Sequence, residues 1–216
     1  MLDDLWPLYG LVLTTSRLRL RLPREAELAE LAGVAARGVH PPGERPFFTG
    51  WTEGAPRERA RAVLREHWSG LGGWEPSRWQ LGLAVFRANR PIGVVTLSAA
   101  DFPVVRQVTT WSWLGLEHHG RGYGTETRAA LLTLAFNHLG ATAALTAMFQ
   151  DNYASQGVSR KLGYQPDGIS VDARDGEAVV SNRMRLTRDR WQSRDRPAVT
   201  VDGLTEDALQ MFMPSK

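Results

Sequence analysis

The sequence predicts an α/β (α+β) fold in which helices cover both faces of a mixed, mostly antiparallel sheet of six or seven strands. Several segments alternate apolar with polar residues, which is typical of strands with one buried face. Other segments repeat apolar residues every three or four positions, which predicts amphipathic helices. A glycine-rich turn over residues 120–124 joins a strand to a helix. This order of elements favours a layered α/β domain.

The N-terminal third predicts one strand and two helices. Residues 11–22 end in alternating leucine and arginine and predict a strand. Pro23 and the acidic residues after it suit the start of a helix, and Gly38 suits its end. A second helix is predicted from Pro56 to Trp68, because three of residues 70–73 are glycines that interrupt the pattern.

The middle of the chain predicts an antiparallel meander that leads into the glycine-rich turn. Three strands are predicted, at residues 79–86, 92–97 and 104–116. A short hairpin joins the first two. Gly115 lies near the end of the third strand, which indicates a bulge or the close approach of another backbone.

The glycine-rich turn predicts a binding site for a phosphate or pyrophosphate. Gly120, Gly122 and Gly124 alternate just before an amphipathic helix. Residues without a Cβ allow positive φ angles and a close approach to a ligand. The first amides of a helix have no intrahelical partner and carry the positive end of its dipole. Such a turn binds anions, so we expect a cofactor that contains a nucleotide.

The spacing of the glycines narrows the class of cofactor. A dinucleotide fingerprint requires glycine where Thr125 stands, and a P-loop requires a lysine that is missing here. A tight turn without a ligand is the remaining alternative.

Composition excludes several classes of protein. The 216 residues include 43% hydrophobic and 23% charged residues, which is ordinary for a globular chain long enough for one domain. The net charge of +3 gives no indication of a nucleic-acid partner. There is no cysteine, so disulfides, thiolate metal sites and cysteine nucleophiles are excluded. The first ten residues lack a signal-peptide pattern, and no apolar run approaches a membrane span. We expect a cytoplasmic protein without a membrane partner, and the near absence of lysine suggests a GC-rich bacterial genome.

A second informative segment lies after a predicted strand at residues 143–149. Asn152 is a good N-cap, and Gly163 suits the helix end. Ala154, Val158 and Leu162 share one predicted apolar face. Two further strands, at residues 164–171 and 178–186, complete the predicted sheet.

Both segments resemble motifs of the GNAT acyltransferases. His119 to Gly124 resembles the family's Q/R-x-x-G-x-G/A pyrophosphate loop, with histidine in place of the first Gln or Arg. Asn152 to Tyr164 resembles the family's N-x-x-S-x-x-V-x-x-K-x-G-Y/F segment. The resemblance extends from Arg17 to about Trp191 and is greatest to the bacterial ribosomal-protein N-acetyltransferase group. Residues 101–132 also resemble a branch of that group that uses succinyl-coenzyme A.

The resemblance implies a single GNAT domain over residues 1–216 that binds acyl-coenzyme A, with acetyl or succinyl as the acyl group. The strand before the loop is expected to contact the pantetheine arm and thioester through main-chain atoms of Trp113, Leu114 and Leu116. Other predicted cofactor contacts come from the loop and from the start of the later helix: His119, Gly120, Arg121, Gly122, Tyr123, Gly124, Thr125, Asn152 and Ser155.

The implied chemistry is direct transfer of the acyl group to a primary amine. Ser155 or Tyr164 is expected to protonate the leaving thiolate. A base must remove a proton from the amine. Glu117 is the carboxylate nearest the thioester strand, and His118 and His119 are alternatives. No metal is required, and no His, Asp and Glu cluster has ligand spacing.

The segment from His40 to Trp51 is predicted to be a loop because of its prolines and glycines, yet it also contains aromatic residues. His40, Phe47 and Trp51 either cover the core or shape an acceptor or acyl pocket. The sequence does not identify the acceptor amine, which can belong to a protein N-terminus, a lysine, a polyamine or an antibiotic.

The remaining alternatives concern the tail and the activity. The tail over residues 197–216 is apolar enough to dock on this subunit or on a second copy. A homo-oligomer is therefore one of the alternatives. A degenerate GNAT protein that binds acyl-coenzyme A as a sensor or structural ligand, and an unrelated nucleotide-binding protein, are the rival functions.

Overall fold

The computed structural model describes residues 2–213 and contains one nine-stranded sheet in the order β7-β8-β6-β5-β4-β3-β2-β1-β9. The strands are β1 Val12–Thr14, β2 Arg19–Arg21, β3 Arg78–Arg87, β4 Arg90–Ala100, β5 Gln107–Leu114, β6 Ala143–Phe149, β7 Gln165–Arg174, β8 Glu177–Thr187 and β9 Thr200–Asp202. The helices are α1 Leu2–Leu5, α2 Glu25–Arg37, α3 Pro56–Gly72, α4 Phe102–Val105, α5 Tyr123–Thr133, α6 Tyr153–Leu162, α7 Arg188–Gln192 and α8 Glu206–Phe212. Within the described residues, no helix is both long and apolar enough to span a bilayer.

The predicted mixed, mostly antiparallel sheet is confirmed. Every neighbouring pair is antiparallel except β5 and β6, which are parallel. Helices flank both faces, as β3 illustrates: Leu83 and Val85 belong to the larger core with α5, whereas Ala84 and Phe86 pack with α2. Alternate side chains of a strand point to opposite faces, so the two cores lie on opposite sides of the sheet.

The expected six or seven strands are too few, for two reasons. The segment at residues 11–22 forms two strands rather than one, because Thr15 closes a hairpin: its amide donates to the Leu18 carbonyl at 2.9 Å, and its hydroxyl accepts from the Leu18 amide at 3.0 Å. The second reason is β9, which comes from the tail and pairs with β1.

Two predicted boundaries are wrong. Helix α3 continues through Gly70 to Gly72, since a glycine inside a helix costs only about 1 kcal/mol. Strand β5 starts at Gln107, because the short helix α4 precedes it. Asp101 and Arg106 bracket α4 with left-handed φ angles of 49° and 54°.

The tail docks on this chain. Ala208 and Phe212 of α8 are fully buried, and the indole nitrogen of Trp74 donates to the Met211 carbonyl at 3.0 Å. Residues 214–216 of the predicted tail lie outside the described part. The tail therefore completes one end of the larger core.

Candidate functional site

An opening forms where β5 and β6 stop pairing. Their parallel register extends only from Gln107 opposite Ala143 to Thr109 opposite Leu145. Beyond it, β5 continues beside β4 and β6 continues beside β8. The Thr146 hydroxyl donates to the Thr110 carbonyl at 3.2 Å, at the point where pairing ends. Within residues 2–213, the far half of β5 thus has a main-chain edge without a strand partner.

The pairing register of β5 with β4 determines which main-chain groups of β5 face this opening. Successive residues of an antiparallel strand turn their main-chain groups to opposite sides. The Gly115 amide donates to the Ile92 carbonyl at 2.9 Å, towards β4. Leu114 and Ser112 must therefore face the opening, and Ser112 is a residue that sequence reasoning missed.

The other predicted main-chain contacts are less well placed. By the same alternation, the amide of Trp113 faces β4. The Leu116 amide already donates to the Gly38 carbonyl at 3.0 Å. The geometry thus favours Leu114 among the three, and the contacts of Trp113 and Leu116 stay predictions. Gly115 is approached closely by a side chain rather than by the predicted backbone: a Cβ there would lie 2.6 Å from the Val34 side chain.

The glycine-rich loop has the backbone that its sequence predicts. Gly120 and Gly122 have positive φ angles of 72° and 80°. Gly124 is helical, and a Cβ at this position would lie 3.7 Å from Val158 of α6. The first two glycines therefore permit the turn, whereas a Cβ at Gly124 would make only an ordinary van der Waals contact with α6.

The amides at the start of α5 are free of side-chain caps. Gly122 is the N-cap, and the first helical bond runs from the Glu126 amide to the Gly122 carbonyl at 3.1 Å. The amides of Tyr123, Gly124 and Thr125 consequently have no intrahelical acceptor. Together with the helix dipole, they form a site that suits an anion.

An ion pair that the sequence did not reveal holds this loop. Glu126 is 8% exposed and accepts from the Arg17 Nε at 2.7 Å and from the Thr15 hydroxyl at 2.5 Å. Arg17 also donates to the Arg121 carbonyl at 3.1 Å and lies 4.8 Å from the centre of the Tyr123 ring. The β1–β2 hairpin thereby anchors the loop and neutralises a carboxylate beside the anion site.

Positive charge surrounds the loop. Arg37 pairs with Glu117 at 3.2 Å. Within residues 2–213, Arg87 and Arg121 have no carboxylate partner, yet both are close enough to act on His118. The mouth of the opening is therefore suited to a ligand with several negative charges.

Glu117 and His118 differ in their fitness as a base. Burial alone would raise the pKa of Glu117, but a backbone hydrogen bond and Arg37 outweigh it and lower the pKa below the usual value. Burial lowers the pKa of His118; Glu117 opposes this effect and nearby arginines add to it. At neutral pH Glu117 is a weak base, whereas His118 is a neutral imidazole that can accept a proton.

His119 holds the loop to the strand. Its Nε2 lies 3.0 Å from the Leu114 carbonyl oxygen and must donate, because a carbonyl only accepts. His119 therefore bridges the loop and the β5 edge at the position where the motif resembled in the sequence has Gln or Arg.

The start of α6 lies beside α5. The predicted N-cap is confirmed: the Asn152 side chain accepts from the Ser155 amide at 3.0 Å. The Asn152 amide group also donates to the Pro46 carbonyl at 3.2 Å. The predicted apolar face is wrong in part, since Ala154 is exposed. The buried residues of this helix are Gln156, Ser159 and Leu162.

Tyr164 lies at the closed end of the opening. It is 2% exposed, and its hydroxyl oxygen lies 3.2 Å from the Thr110 hydroxyl. Burial raises the pKa of Tyr164, and Arg128 and Thr110 oppose this effect only in part. The phenol therefore keeps its proton at neutral pH.

The aromatic segment borders the opening on both sides. Trp51 lies 5.6 Å from Trp113 near the end of β5, and Phe48 lies 4.7 Å from Phe149 at the end of β6. The ring of Phe47 packs against that of Trp51 in a tilted arrangement, with the ring centroids 5.2 Å apart. Phe47 and Trp51 thus cover the smaller core beside Trp113, while Phe48 lies against the end of β6.

His40 stabilises this segment. Its two ring nitrogens lie 2.9 Å from the Pro41 carbonyl and 2.9 Å from the Thr52 hydroxyl. With both nitrogens bonded, His40 is a structural member of the aromatic segment, and its place in a pocket stays a prediction.

Comparison with known proteins gives a family match and structural neighbours. Residues 17–165 match the family model described as "Acetyltransferase (GNAT) domain". The structure resembles RimL, a ribosomal L7/L12 alpha-N-protein acetyltransferase solved with coenzyme A (TM-score 0.61, 18% identity, 80% of this chain and 95% of that chain). It also resembles the microcin C7 self-immunity acetyltransferase MccE, solved with acetyl-CoA and AMP (TM-score 0.61, 14% identity, 80% and 93%). A GNAT acetyltransferase from Bacillus anthracis is a third neighbour (TM-score 0.61, 12% identity, 82% and 99%). At these identities the likeness concerns the fold.

Proposed function

The chain belongs to the GNAT acetyltransferase family, and on this premise we propose that it is an N-acyltransferase that moves an acyl group from acyl-coenzyme A directly to a primary amine. The observation that carries this proposal is the opening between β5 and β6, with the uncapped amides of α5 at its mouth. One end of this site suits a pyrophosphate, and the other offers a strand edge to an amide-containing arm. Acyl-coenzyme A has both groups.

In the proposed complex the donor lies along β5. The amides of Tyr123, Gly124 and Thr125 bind the pyrophosphate, and Gly120 and Gly122 let the backbone approach it. The open edge binds the pantetheine arm through Ser112 and the Leu114 amide, since the Leu114 carbonyl is bonded to His119. Asn152 and Ser155 contribute from the start of α6, as the family motif implies.

The amine must be neutral to attack the thioester. Of the three groups that the sequence left open as base, we favour His118, because it is neutral at neutral pH while Glu117 is held by Arg37 and His119 by Leu114. A β5 amide at the open edge would stabilise the oxyanion. The leaving sulfur takes its proton from Ser155 or Tyr164.

The acyl group is acetyl or succinyl, and the acceptor is the amine of a protein N-terminus or of a small molecule. The neighbours named above include an alpha-N-protein acetyltransferase and a microcin self-immunity acetyltransferase. The aromatic segment, with Phe47 and Trp51, borders the proposed acyl and acceptor site. We expect the reaction to take place in the cytoplasm.

One observation favours the alternative of an acyl-coenzyme A sensor. The ion pair of Glu117 with Arg37 removes the carboxylate that the sequence indicates as a base. Turnover distinguishes the two functions: a sensor binds the donor without releasing free thiol in the presence of an amine.

Melting temperatures with acetyl-, succinyl- and free coenzyme A test the binding half of the proposal. A ligand at about 100 times its dissociation constant stabilises the fold by roughly 2.7 kcal/mol. A larger shift with succinyl- than with acetyl-coenzyme A would assign the donor. If none of the three ligands shifts the melt, the loop at Gly120 to Gly124 does not bind a pyrophosphate.

The variant Ser155→Ala tests the catalytic half. If Ser155 donates the proton, this variant loses turnover and keeps the melting shift. A variant that keeps full turnover would leave Tyr164 as the donor.

A further inference from the structure

Arg128 in α5 is a buried charge for which the described part of the chain provides no counter-ion. Its side chain is 4% exposed, and one guanidinium nitrogen donates to the Ser159 hydroxyl at 3.0 Å. A guanidinium has five N–H donors, and the buried Nε of Arg128 has no acceptor. Among residues 2–213, no carboxylate lies within ion-pair distance of it.

Such a group is unfavourable for folding. Burying a charge is costly unless it is paired and hydrogen-bonded. Replacing buried ionic groups by apolar residues of similar size is often neutral or stabilising. Stability therefore does not explain an arginine at this position.

The location of Arg128 offers a different explanation. Arg128 and Tyr164 are joined through one residue: Arg128 donates to the Ser159 hydroxyl, and the Tyr164 amide donates to the Ser159 carbonyl at 3.0 Å. Each of the two charges also shifts the pKa of the other group. Tyr164 bonds Thr110, where the opening between β5 and β6 begins. Ser159, the partner of Arg128, in turn donates to the Ser155 carbonyl at 2.9 Å. Through Ser159, Arg128 is thus linked to the main chain of both candidate proton donors, Ser155 and Tyr164.

Resting on the proposed function, we propose that Arg128 is a positioning residue that makes Tyr164 the proton donor to the leaving sulfur. When the amine nitrogen attacks the thioester carbon, the carbon–sulfur bond breaks and its electron pair moves to sulfur. The phenol proton of Tyr164 passes to that sulfur and yields free coenzyme A. The tyrosinate left behind lies beside the Arg128 guanidinium until solvent returns a proton.

This role explains why the charge is unpaired before the reaction. Groups that stabilise the transition state more than the ground state raise the rate. A fixed positive charge without a counter-ion is complementary to a negative charge that forms beside it only during the reaction. Among the described residues, Arg128 is the charged group that lowers the pKa of Tyr164, and Thr110 is the hydrogen-bond partner of the Tyr164 hydroxyl.

The substitution Arg128→Met keeps the unbranched aliphatic part of the side chain and removes the guanidinium group with its charge. We expect a melting temperature that is unchanged or higher, an unchanged melting shift with coenzyme A, and turnover reduced at least about tenfold. Arg128→Lys should restore part of the turnover. Arg57→Gln, on the exposed side of α3, is the matched control and should retain wild-type turnover.

Tyr164→Phe makes the test specific for the pair. If Arg128 acts through Tyr164, the double variant should be no slower than Tyr164→Phe alone. Alkaline titration of tyrosinate absorbance adds a readout that requires no turnover. The chain has four tyrosines, and the Tyr164 signal is identified as the one that Tyr164→Phe lacks. This tyrosine should ionise at a higher pH in Arg128→Met than in the wild type.

Three results would overturn the inference: full turnover in Arg128→Met, rate losses that add in the double variant, or a lower melting temperature with a matching loss of donor binding. A wild-type chain without turnover on any donor would instead refute the proposed function. In that case the tyrosinate titration alone decides whether Arg128 and Tyr164 are coupled.

Discussion

Removing Arg17 should loosen the candidate pyrophosphate loop and destabilise the fold. Losing one partner of a buried ion pair costs about 3–5 kcal/mol, whereas an exposed pair contributes about 0–1 kcal/mol. The side chain of Glu126 is 9% exposed and that of Arg17 is 47% exposed, so this pair lies between the two cases. We therefore expect Arg17→Ala to lower the free energy of unfolding by about 2 kcal/mol. For a chain of this size, that corresponds to a melting temperature lower by roughly 4–8 °C.

The effect should extend to ligand binding, because Arg17 also holds the Arg121 carbonyl. Urea unfolding measures the stability of Arg17→Ala, Glu126→Gln and the double variant. Differential scanning fluorimetry with coenzyme A then measures how much each variant is stabilised by the ligand. We expect a smaller ligand-induced shift in Arg17→Ala than in the wild type.

The control is Arg90→Ala, which breaks the exposed pair between Arg90 and Glu30 at 3.7 Å and should change little. If the losses of Arg17→Ala and Glu126→Gln add in the double variant, the two residues are not coupled. That result, or an unchanged ligand shift in Arg17→Ala, would refute the anchoring role of the pair.

Three further predictions concern other parts of the molecule. His118→Ala should lose most of its turnover at neutral pH, because the proposed base is removed. If the pH–rate profile of this variant falls on the acidic side at the same pH as that of the wild type, His118 is not the base. Burial lowers the pKa of His67, so the unfolded state binds the proton more tightly than the folded state does. The free energy of unfolding should therefore be highest above about pH 6.5 and should fall as the pH drops through the folded pKa. Urea unfolding at several pH values should show a weaker pH dependence in His67→Gln than in the wild type. Phe212→Ala should cost about 3–5 kcal/mol in urea unfolding, because Phe212 is fully buried against Trp79 at 5.0 Å and Trp74 at 5.3 Å; a loss below about 1 kcal/mol would contradict docking of the tail.

Local signals made the strand–loop–helix unit and the start of α6 predictable. Gly120 and Gly122 indicated positive φ angles, and Asn152 indicated an N-cap, because each effect depends only on neighbours in sequence. The hairpin of β3 and β4 followed from alternation and a short turn. For the same reason the order of motifs was sufficient to indicate the family.

Contacts between distant residues could not be predicted in this way. Arg17 and Glu126 are 109 positions apart, and nothing in either segment indicates the other. Nothing in the sequence around Arg128 indicates that tertiary packing buries its side chain. The ninth strand depends on the tail returning to β1, which is a tertiary choice rather than a local preference.

The central claim is that this chain transfers an acyl group from coenzyme A to an amine. Release of free coenzyme A thiol, followed with acetyl- and succinyl-coenzyme A in the presence of primary amines, tests it most directly. The acceptors should include a peptide with a free N-terminus, the same peptide with a blocked N-terminus, and a polyamine. We predict thiol release that requires both the enzyme and a free amine, and that disappears with the blocked peptide. Binding of either donor without amine-dependent release would contradict the transferase function and support a sensor.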